Sequence, residues 1–382
     1  MSGLAIVGGG PAGLAAARAY REAGGDGPVT MLTADAEAPY VRPLLSKELL
    51  RGETDEAALE DDAWFADNGV DLRLQAEVEA LEPEARRLRL AGGETLAFDA
   101  CVLATGSHPQ RLPVPGAEDP GILNLRSLHD ARVLRSRAEQ GRSAAVIGSG
   151  FIGCEAAASL AMRGLRVTLV SDEHVVHAAR LGEEAGRRIT GWLAELGVSL
   201  RLGAPVESVG AGTVRVPGAP PVEADLVLFA VGVRPRAELA EAAGLELRDG
   251  RIVTDERMRT SAPGIYAAGD VALARNAAAG RHLPVEHWGE ALNQGEAAGA
   301  NAAGGDAAWS AAPGFWSTIG TRALKHVAWG DGFDEARMVD HAGGAFTVWY
   351  GAGGTTVGVL AHERDEDYER GRELIEQGEP LP

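Results

Sequence analysis

Lysine and cysteine are nearly missing from this chain. Lys47 and Lys325 are the only lysines among 36 basic residues, and Cys101 and Cys154 are the only cysteines. Cysteines so far apart form neither a disulfide framework nor a C-x-x-C metal site, and the nine scattered histidines show no ligand spacing. The sequence therefore predicts no metal site, and it favours the reducing cytoplasm.

Net positive charge and long apolar runs are missing as well. The formal net charge is −19. Such a charge would repel the phosphates of a nucleic acid, so we expect no nucleic-acid partner. No stretch approaches the ~18 consecutive apolar residues of a membrane-spanning helix, and the N-terminus lacks the basic and apolar regions of a signal peptide. We expect a soluble, unexported, cytoplasmic protein that does not bind membranes.

Glycine, in contrast, is abundant, with 51 among 382 residues. Two loops of the pattern G-x-G-x-x-G stand far apart, GGGPAG at 8–13 and GSGFIG at 148–153. Glycines there permit a tight turn and let backbone N–H groups approach a pyrophosphate at the positive end of a helix. Two such loops indicate two bound dinucleotides.

Each loop lies between two apolar runs. Residues 4–7 precede the first loop, and residues 29–32 follow an alanine-rich, helix-like stretch. Residues 144–147 and 165–170 flank the second loop in the same way. Both loops therefore have the strand, turn, helix, strand order of a βαβ unit. With 45% hydrophobic residues, the chain is long enough for two or three domains.

A second repeated segment reads Asp-x4-Ala-x-Gly-x2-Pro. It occurs at 99–109 and again at 225–235. Each copy predicts a buried strand that runs into a glycine turn, at Gly106 and at Gly232. A missing side chain at that turn would let a bound cofactor lie against the backbone. The chain therefore contains two related nucleotide-binding domains.

The C-terminal part does not follow this pattern. Residues 325–329, 345–350 and 355–360 predict three antiparallel strands joined by glycine turns, and a helix is expected from about Asp365 to Gln377. This arrangement indicates a separate α+β domain.

Several linked motifs in this order resemble one family. They are the first glycine loop, PYVRPLLSK at 39–47, ATG at 104–106, LPVPG at 112–116, the second glycine loop with Glu155, and TSAPGIYAAGD at 260–270. Together they resemble the FAD-dependent NAD(P)H:ferredoxin reductases, the group of putidaredoxin reductase and of dioxygenase ferredoxin reductases. The apoptosis-inducing-factor flavoproteins are similar.

The resemblance implies an α/β fold with two Rossmann-like nucleotide-binding domains of the glutathione-reductase type and a C-terminal α+β domain. The FAD-binding domain is then discontinuous, at 1–108 and 234–306. The NAD(P)H-binding domain covers 109–233, and the C-terminal interface domain covers 307–382.

The same resemblance implies a set of residues that contact FAD. By spacing from Lys47, the acid that binds the adenosine ribose falls at Ala34, which leaves Asp35 next to it as the candidate. The other implied FAD contacts are Gly8, Gly10, Ala12, Gly13, Arg42, Lys47, Val78, Thr105, Gly106, Arg126, Gly269, Asp270, Glu286 and Trp288.

A second set is expected to bind the nicotinamide nucleotide. It consists of Gly148, Gly150, Phe151, Ile152, Gly153, Glu155, Asp172 and Gly232. At the end of the second strand, the position of the usual acid is Ser171, followed by Asp172 and Glu173. A carboxylate there accepts hydrogen bonds from the ribose 2′-hydroxyl and repels a 2′-phosphate. We therefore expect NADH, with NADPH as the alternative.

By analogy with the family, Lys47 and Glu155 are the catalytic candidates, a charged pair beside the flavin and the nicotinamide. Neither cysteine occupies the segment at 35–50, where disulfide reductases of this structural class carry their redox cysteines. Electrons are then expected to leave FAD directly.

The resemblance implies hydride transfer from NADH to FAD, followed by single-electron transfer to a ferredoxin-type iron–sulfur protein that serves an oxygenase. Two other functions stay open. One is an NADH-responsive flavoprotein of the apoptosis-inducing-factor kind, and the other is an NADH:quinone or oxygen oxidoreductase. We expect a monomer or a homodimer.

Overall fold

The computed structural model describes residues 3–382 of the chain. The described chain divides into two compact units. Unit 1 contains residues 3–41, 58–108 and 234–315, and unit 2 contains residues 42–57, 109–233 and 316–382.

The strands and helices are numbered in chain order. The strands are β1 (Gly3–Val7), β2 (Val29–Leu32), β3 (Val70–Arg73), β4 (Val78–Glu82), β5 (Arg87–Leu90), β6 (Thr95–Leu103), β7 (Ser107–Pro109), β8 (Ser143–Ile147), β9 (Arg166–Val170), β10 (Ser199–Arg201), β11 (Ser208–Gly210), β12 (Thr213–Arg215), β13 (Val222–Glu223), β14 (Leu226–Phe229), β15 (Val233–Pro235), β16 (Leu247–Arg248), β17 (Arg251–Thr254), β18 (Ile265–Ala267), β19 (Ala272–Asn276), β20 (Arg281–Pro284), β21 (Gly314–Ile319), β22 (Arg322–Ala328), β23 (Glu335–Asp340), β24 (Phe346–Ala352) and β25 (Thr355–His362). The helices are α1 (Pro11–Glu22), α2 (Glu48–Arg51), α3 (Asp62–Asp67), α4 (Leu128–Gln140), α5 (Phe151–Met162), α6 (Ala178–Glu195), α7 (Glu238–Ala242), α8 (Trp288–Ala302) and α9 (Asp365–Gln377), with short 3₁₀ helices at Arg42–Leu44 and Ala342–Gly344.

Unit 1 is built on a mainly parallel sheet. Strand β1 pairs in parallel with β2 on one side and with β6 on the other, and β18 adds to β6 in parallel. Residues 4–7 of β1 are all buried. Such continuous apolar runs are typical of parallel strands that are covered on both faces. The fold therefore confirms the strand, helix, strand unit predicted at the first glycine loop.

Helices α1 and α8 of unit 1 pack at close range because small residues line their contact. A Cβ atom built on Gly299 would lie 2.1 Å from the carbonyl oxygen of Ala16, and one built on Gly295 would lie 2.3 Å from that of Ala12. These distances leave no room for a side chain. The spacing of the two glycines, four residues apart on one helix face, therefore fixes how near α8 approaches α1.

Unit 2 repeats the parallel arrangement. Its sheet has the order β10-β9-β8-β14, and all its neighbouring strands are parallel. Strand β8 is buried throughout. A smaller antiparallel sheet, β11-β12-β13, packs its valines into the same apolar core as Ile147 and Phe229. The second predicted βαβ unit is confirmed.

Residues 316–382 of unit 2 extend the prediction made for the C-terminal part. The predicted strands correspond to β22, β24 and β25, and helix α9 has the predicted bounds. Two strands were missed, since the sheet has the order β21-β22-β25-β24-β23. Strand β23 is an edge strand with no buried residue, so it lacks the apolar alternation that identifies a strand in sequence.

The contact between α1 and α8 gives a stability prediction. We expect Gly299→Ala to lower the midpoint of thermal unfolding, because overpacking a tight contact costs about 1–3 kcal/mol. Gly191→Ala is the matched control, because a Cβ at Gly191 in α6 meets nothing within 4 Å. That change should leave stability equal or raise it by up to ~1 kcal/mol. Differential scanning calorimetry of both variants checks the pair, and equal midpoints would contradict the close packing.

Candidate functional site

The first residue of the first glycine loop has to be glycine. Gly8 has a φ of +124°, and a Cβ there would lie 2.1 Å from the carbonyl oxygen of Ala104. Ala104 directly follows β6, the strand that pairs with β1. The backbone of the neighbouring strand thus approaches the loop too closely for any side chain.

The second loop reproduces this contact within unit 2. Gly148 has a φ of +105°, and a Cβ there would lie 2.3 Å from the carbonyl oxygen of Ala230. Ala104 and Ala230 occupy the same place in the repeated Asp-x4-Ala-x-Gly-x2-Pro segment. Within each unit, the first glycine of the loop therefore lies against the alanine of that unit's own copy of the repeated segment.

Both loops leave a helix N-terminus open for an anion. Gly10 is the N-cap of α1 and Gly150 is the N-cap of α5, and a Cβ at either position meets nothing within 4 Å. In the described residues, the first turns of α1 and α5 contain no acidic side chain. Unpaired N–H groups and the helix dipole favour a phosphate at such a place. The geometry fits the pyrophosphate of FAD at one loop and of NADH at the other.

The remaining loop residues differ in their burial and contacts. Gly13 and Gly153 lie in the first helical turns, where each packs on the carbonyl oxygen of the first glycine of its loop. Ala12 is buried, whereas Ile152 is among the exposed large apolar residues. Phe151 stacks on His177 with ring centroids 4.0 Å apart.

Asp270 lies beside the first loop region of unit 1, in the turn that follows β18. Its carboxylate is buried and accepts a hydrogen bond from Ser107 Oγ at 2.6 Å. The adjacent Gly269 N–H donates to Gln294 Oε1 at 2.9 Å. Gln294 is fully buried on α8, and its Nε2 has no partner among residues 3–382. A buried amide donor without a partner is uncommon in proteins, and it fits a bound polar group such as a cofactor.

The other predicted FAD residues of unit 1 lie in several places. Asp35 is half-buried, and its carboxylate accepts hydrogen bonds from Tyr40 Oη at 3.0 Å and from the Glu37 N–H at 3.3 Å. Val78 begins β4 and is half-buried. Thr105 Oγ1 donates to the carbonyl oxygen of Arg236 at 2.6 Å.

The Glu286 and Trp288 pair lies where β20 leads into α8. Glu286 is exposed and forms an ion pair with Arg251, and Trp288 is the first residue of α8. Gly106 has a φ of +68°, which marks the glycine turn predicted after β6.

Unit 2 contains a buried ion pair between the two catalytic candidates. Lys47 Nζ lies 2.8 Å from Glu155 Oε2, and the two residues are only 5% and 4% exposed. Lys47 also donates to the carbonyl oxygen of Pro43 at 3.1 Å. Burying two charges costs several kcal/mol per ion unless further hydrogen bonds satisfy them.

Two serines supply those further hydrogen bonds. Ser46 Oγ donates to Glu155 Oε2 at 2.5 Å, and Ser317 Oγ donates to Glu155 Oε1 at 2.6 Å. Both serines are themselves buried. The carboxylate therefore accepts three side-chain hydrogen bonds, and it holds the Lys47 ammonium at a defined place.

Of the two arginines predicted to contact FAD, Arg42 lies close to Lys47 in sequence and Arg126 does not. Arg42 Nη1 donates to the carbonyl oxygen of Arg126 at 2.7 Å. The backbone N–H of Arg126 donates to Asp130 Oδ2 at 3.1 Å, next to the capping box that begins α4. The structure thus brings Arg42 and Arg126 together within unit 2.

At the second loop, the predicted acid Asp172 and its neighbour Glu173 lie in different environments. Asp172 is exposed, whereas Glu173 is half-buried and accepts a hydrogen bond from Ser149 Oγ at 2.6 Å. Gly232 has a φ of +98°, and a Cβ there meets nothing within 4 Å. The missing side chain at Gly232 therefore leaves the backbone of the turn after β14 accessible.

Neither cysteine has the environment of a redox thiol. Cys101 and Cys154 are fully buried. Burial raises the pKa of Cys101 to about 12. Burial, assisted by the charges of Glu155 and Glu173, also raises the pKa of Cys154. Because the thiolate is the reactive form, both side chains are inert near neutral pH.

Residues 3–382 include no group of three or more His, Cys, Asp or Glu side chains placed to hold a metal ion. Within the same range, no helix combines the length and the hydropathy that are needed to cross a lipid bilayer.

The mainly parallel sheet of unit 1 and the parallel sheet of unit 2, each with a glycine-rich turn at a helix N-terminus, are typical of proteins that bind two dinucleotides. Residues 2–295 match the family model described as pyridine nucleotide-disulphide oxidoreductase. The chain belongs to this family, and the predicted family and fold class are confirmed.

Individual relatives and solved structures are similar to this chain over nearly its whole length. The chain is 37% identical to the ferredoxin--NAD(+) reductase component of the anthranilate 1,2-dioxygenase system of Burkholderia cepacia, over 98% of this chain and 94% of the relative. A solved ferredoxin reductase from Rhodopseudomonas palustris superposes with a TM-score of 0.94 at 30% identity, covering 100% of this chain and 96% of the other. Putidaredoxin reductase, solved in a covalent complex with putidaredoxin, gives a TM-score of 0.93 at 29% identity, covering 99% and 94%.

Four polar residues of these sites were not predicted to belong to them. Ser46, Ser317 and Gln294 are single polar residues within motifs or helices, and a sequence does not show which buried group each of them contacts. Glu173 was named only as a neighbour of Asp172. A polar residue inside an otherwise apolar segment, such as Gln294 in α8, was the available signal.

The buried carboxylate of Asp270 gives a prediction for cofactor binding. We expect Asp270→Ala to be purified mostly without flavin, because the change removes the acceptor that the turn after β18 holds in place. Asp67→Ala, an exposed change in α3 of the same unit, is the matched control and should retain flavin. The ratio of flavin absorbance to protein absorbance measures the outcome. Full flavin content in the Asp270 variant would remove this residue from the site.

Proposed function

We propose that this protein is an FAD-dependent NADH:ferredoxin reductase. It passes a hydride from NADH to FAD and then single electrons to a small iron–sulfur protein that serves an oxygenase. The observation that carries the proposal is the pair of matching glycine loops, one in each unit, together with a buried Lys47–Glu155 pair and no reactive thiol. The family and the names of the relatives support the enzyme class and the two cofactors.

The residues divide the work of binding. The first loop and Asp270 hold FAD, and the second loop holds the pyrophosphate of NADH. When bound, FAD supplies a ring that accepts a hydride from NADH and releases its electrons singly. The protein's own part is to bind, to orient and to place charge.

Lys47 and Glu155 supply that charge. The Lys47 ammonium donates hydrogen bonds to Glu155 Oε2 and to the carbonyl oxygen of Pro43, so its position is fixed before any ligand arrives. Preorganised charges of this kind stabilise charge that develops during a reaction, since they need no rearrangement. Ser46 and Ser317 act as positioning residues, because they hold the carboxylate on which the lysine depends.

The domain assignment follows from the same residues. We assign FAD binding to residues 1–108 and 234–306, NADH binding to residues 109–233, and a C-terminal interface to residues 307–382. The boundary between the compact units at residues 108 and 109, and again at 233 and 234, supports the first two assignments.

The electron acceptor is a ferredoxin-type protein. The reductase component of the anthranilate dioxygenase system is named for this reaction, and putidaredoxin reductase was solved with its iron–sulfur partner. The buried, free cysteines support a place in the reducing cytoplasm.

A coupled assay tests the function. Purified protein with bound FAD should reduce cytochrome c with NADH slowly, and much faster when the ferredoxin of a linked oxygenase is added. The rate of cytochrome c reduction, followed by its change in absorbance, is the measured quantity. Oxygen consumption that is equally rapid without any ferredoxin would contradict the proposal and favour an NADH oxidase.

A further inference from the structure

The segment at 171–177 follows β9 and lies against the second glycine loop within unit 2. In a nucleotide-binding βαβ unit, a carboxylate after the second strand binds the 2′-hydroxyl of the adenosine ribose. Residue 171, the first after β9, is a serine. The usual position therefore carries no charge in this chain.

Ser171 holds the turn together. It is buried, and its Oγ lies 2.7 Å from Ser149 Oγ, the second residue of the glycine loop. The same oxygen accepts the backbone N–H of Glu173 at 3.2 Å. The hydroxyl thus links the loop to the turn that carries the acids.

Glu173 brings a carboxylate to the loop from two residues further along. Its Oε2 accepts hydrogen bonds from Ser149 Oγ at 2.6 Å and from the His177 N–H at 3.2 Å. No hydrogen bond of its other oxygen, Oε1, is found within residues 3–382. Asp172 is exposed, and in the described part of the chain it makes no side-chain hydrogen bond to the loop. One carboxylate of the pair is fixed on the loop, with one oxygen left for a ligand.

Among residues 3–382, no cationic side chain forms an ion pair with this carboxylate. His177 is 4% exposed, and its burial, with Arg180 as a second cause, lowers its pKa to about 3, so the ring is neutral. Arg180 lies over the ring of Phe151 at 5.9 Å. Arg201, on β10, is exposed and meets Ser171 through its backbone carbonyl. The negative charge of Glu173 is therefore the charge that faces the loop directly.

We propose that Glu173, and not Asp172, selects NADH over NADPH. Its carboxylate accepts a hydrogen bond from the ribose 2′-hydroxyl of NADH and repels the 2′-phosphate of NADPH. The inference rests on the proposed function only in taking the loop at 148–153 as the nicotinamide-nucleotide site. It does not depend on the identity of the electron acceptor.

Nucleotide binding to three variants tests the proposal. Calorimetric titration of the FAD-loaded protein with NAD⁺ and with NADP⁺ gives both dissociation constants without turnover. Glu173→Gln should weaken NAD⁺ binding about tenfold, as loss of a charged hydrogen-bond acceptor does. The same change should strengthen NADP⁺ binding. Asp172→Asn tests the rival residue, and Glu184→Gln on α6, exposed, is the control for the same change in charge.

The outcomes separate the readings. The proposal is supported if the preference for NAD⁺ over NADP⁺ becomes smaller in Glu173→Gln and stays unchanged in the other two variants. Equal weakening of both nucleotides, or a shift in the Asp172 variant instead, overturns it and leaves Glu173 as a structural acceptor for Ser149 and His177. Nucleotide selection by Glu173 in a protein that reduces no ferredoxin would reject the proposed function and retain this inference.

A second variant covers the case in which Glu173→Gln fails to fold. Glu173→Ser removes the charge with a smaller side chain. We expect it to lose the preference for NAD⁺ over NADP⁺, as Glu173→Gln does. A fully retained preference would contradict a role for the charge itself.

Discussion

The buried ion pair between Lys47 and Glu155 is the interaction on which the proposed chemistry depends. Two charges with almost no exposure are tolerated only when every donor and acceptor is paired. Glu155 meets this condition through Lys47, Ser46 and Ser317, which come from two separate stretches of unit 2, residues 42–57 and 316–382. Ser159 Oγ adds a hydrogen bond to the carbonyl oxygen of Ser46 at 2.7 Å. Glu155 and Ser159 both lie in α5, so the cluster is attached to the helix whose N-terminus follows the second loop.

A second constraint is the close approach of backbone to backbone at each glycine loop. The carbonyl oxygens of Ala104 and Ala230 occupy the space that a side chain at Gly8 or Gly148 would need. Because the contact is the same in both units, the two sites present the same kind of phosphate-binding turn. What distinguishes them is the chain that follows. Asp35 forms hydrogen bonds within its own turn, whereas Glu173 is bonded to the loop itself.

Much of this organisation was predictable because it depends on local patterns. Glycine spacing and apolar runs identified both βαβ units, and the bounds of α9 were also predicted. The pairing of the two sequence repeats was not predictable in the same way, since it joins a loop to a strand that is distant in sequence. Strand β23 was missed because its residues alternate in no apolar pattern. The contacts of Ser46, Ser317 and Gln294 were missed because a single polar residue gives no indication of its partner.

The roles proposed for Lys47 and Glu155 make the sign of one quantity a direct test. A fixed positive charge beside the flavin favours the form with added electrons, and a fixed negative charge disfavours it. The measurement is the midpoint potential of the bound flavin in Lys47→Met and Glu155→Gln, with Lys325→Met, which changes the exposed lysine paired with Asp365, as control. The account predicts a lower potential for the first variant, a higher one for the second and no change in the control. Unchanged potentials in both variants of the buried pair would contradict it.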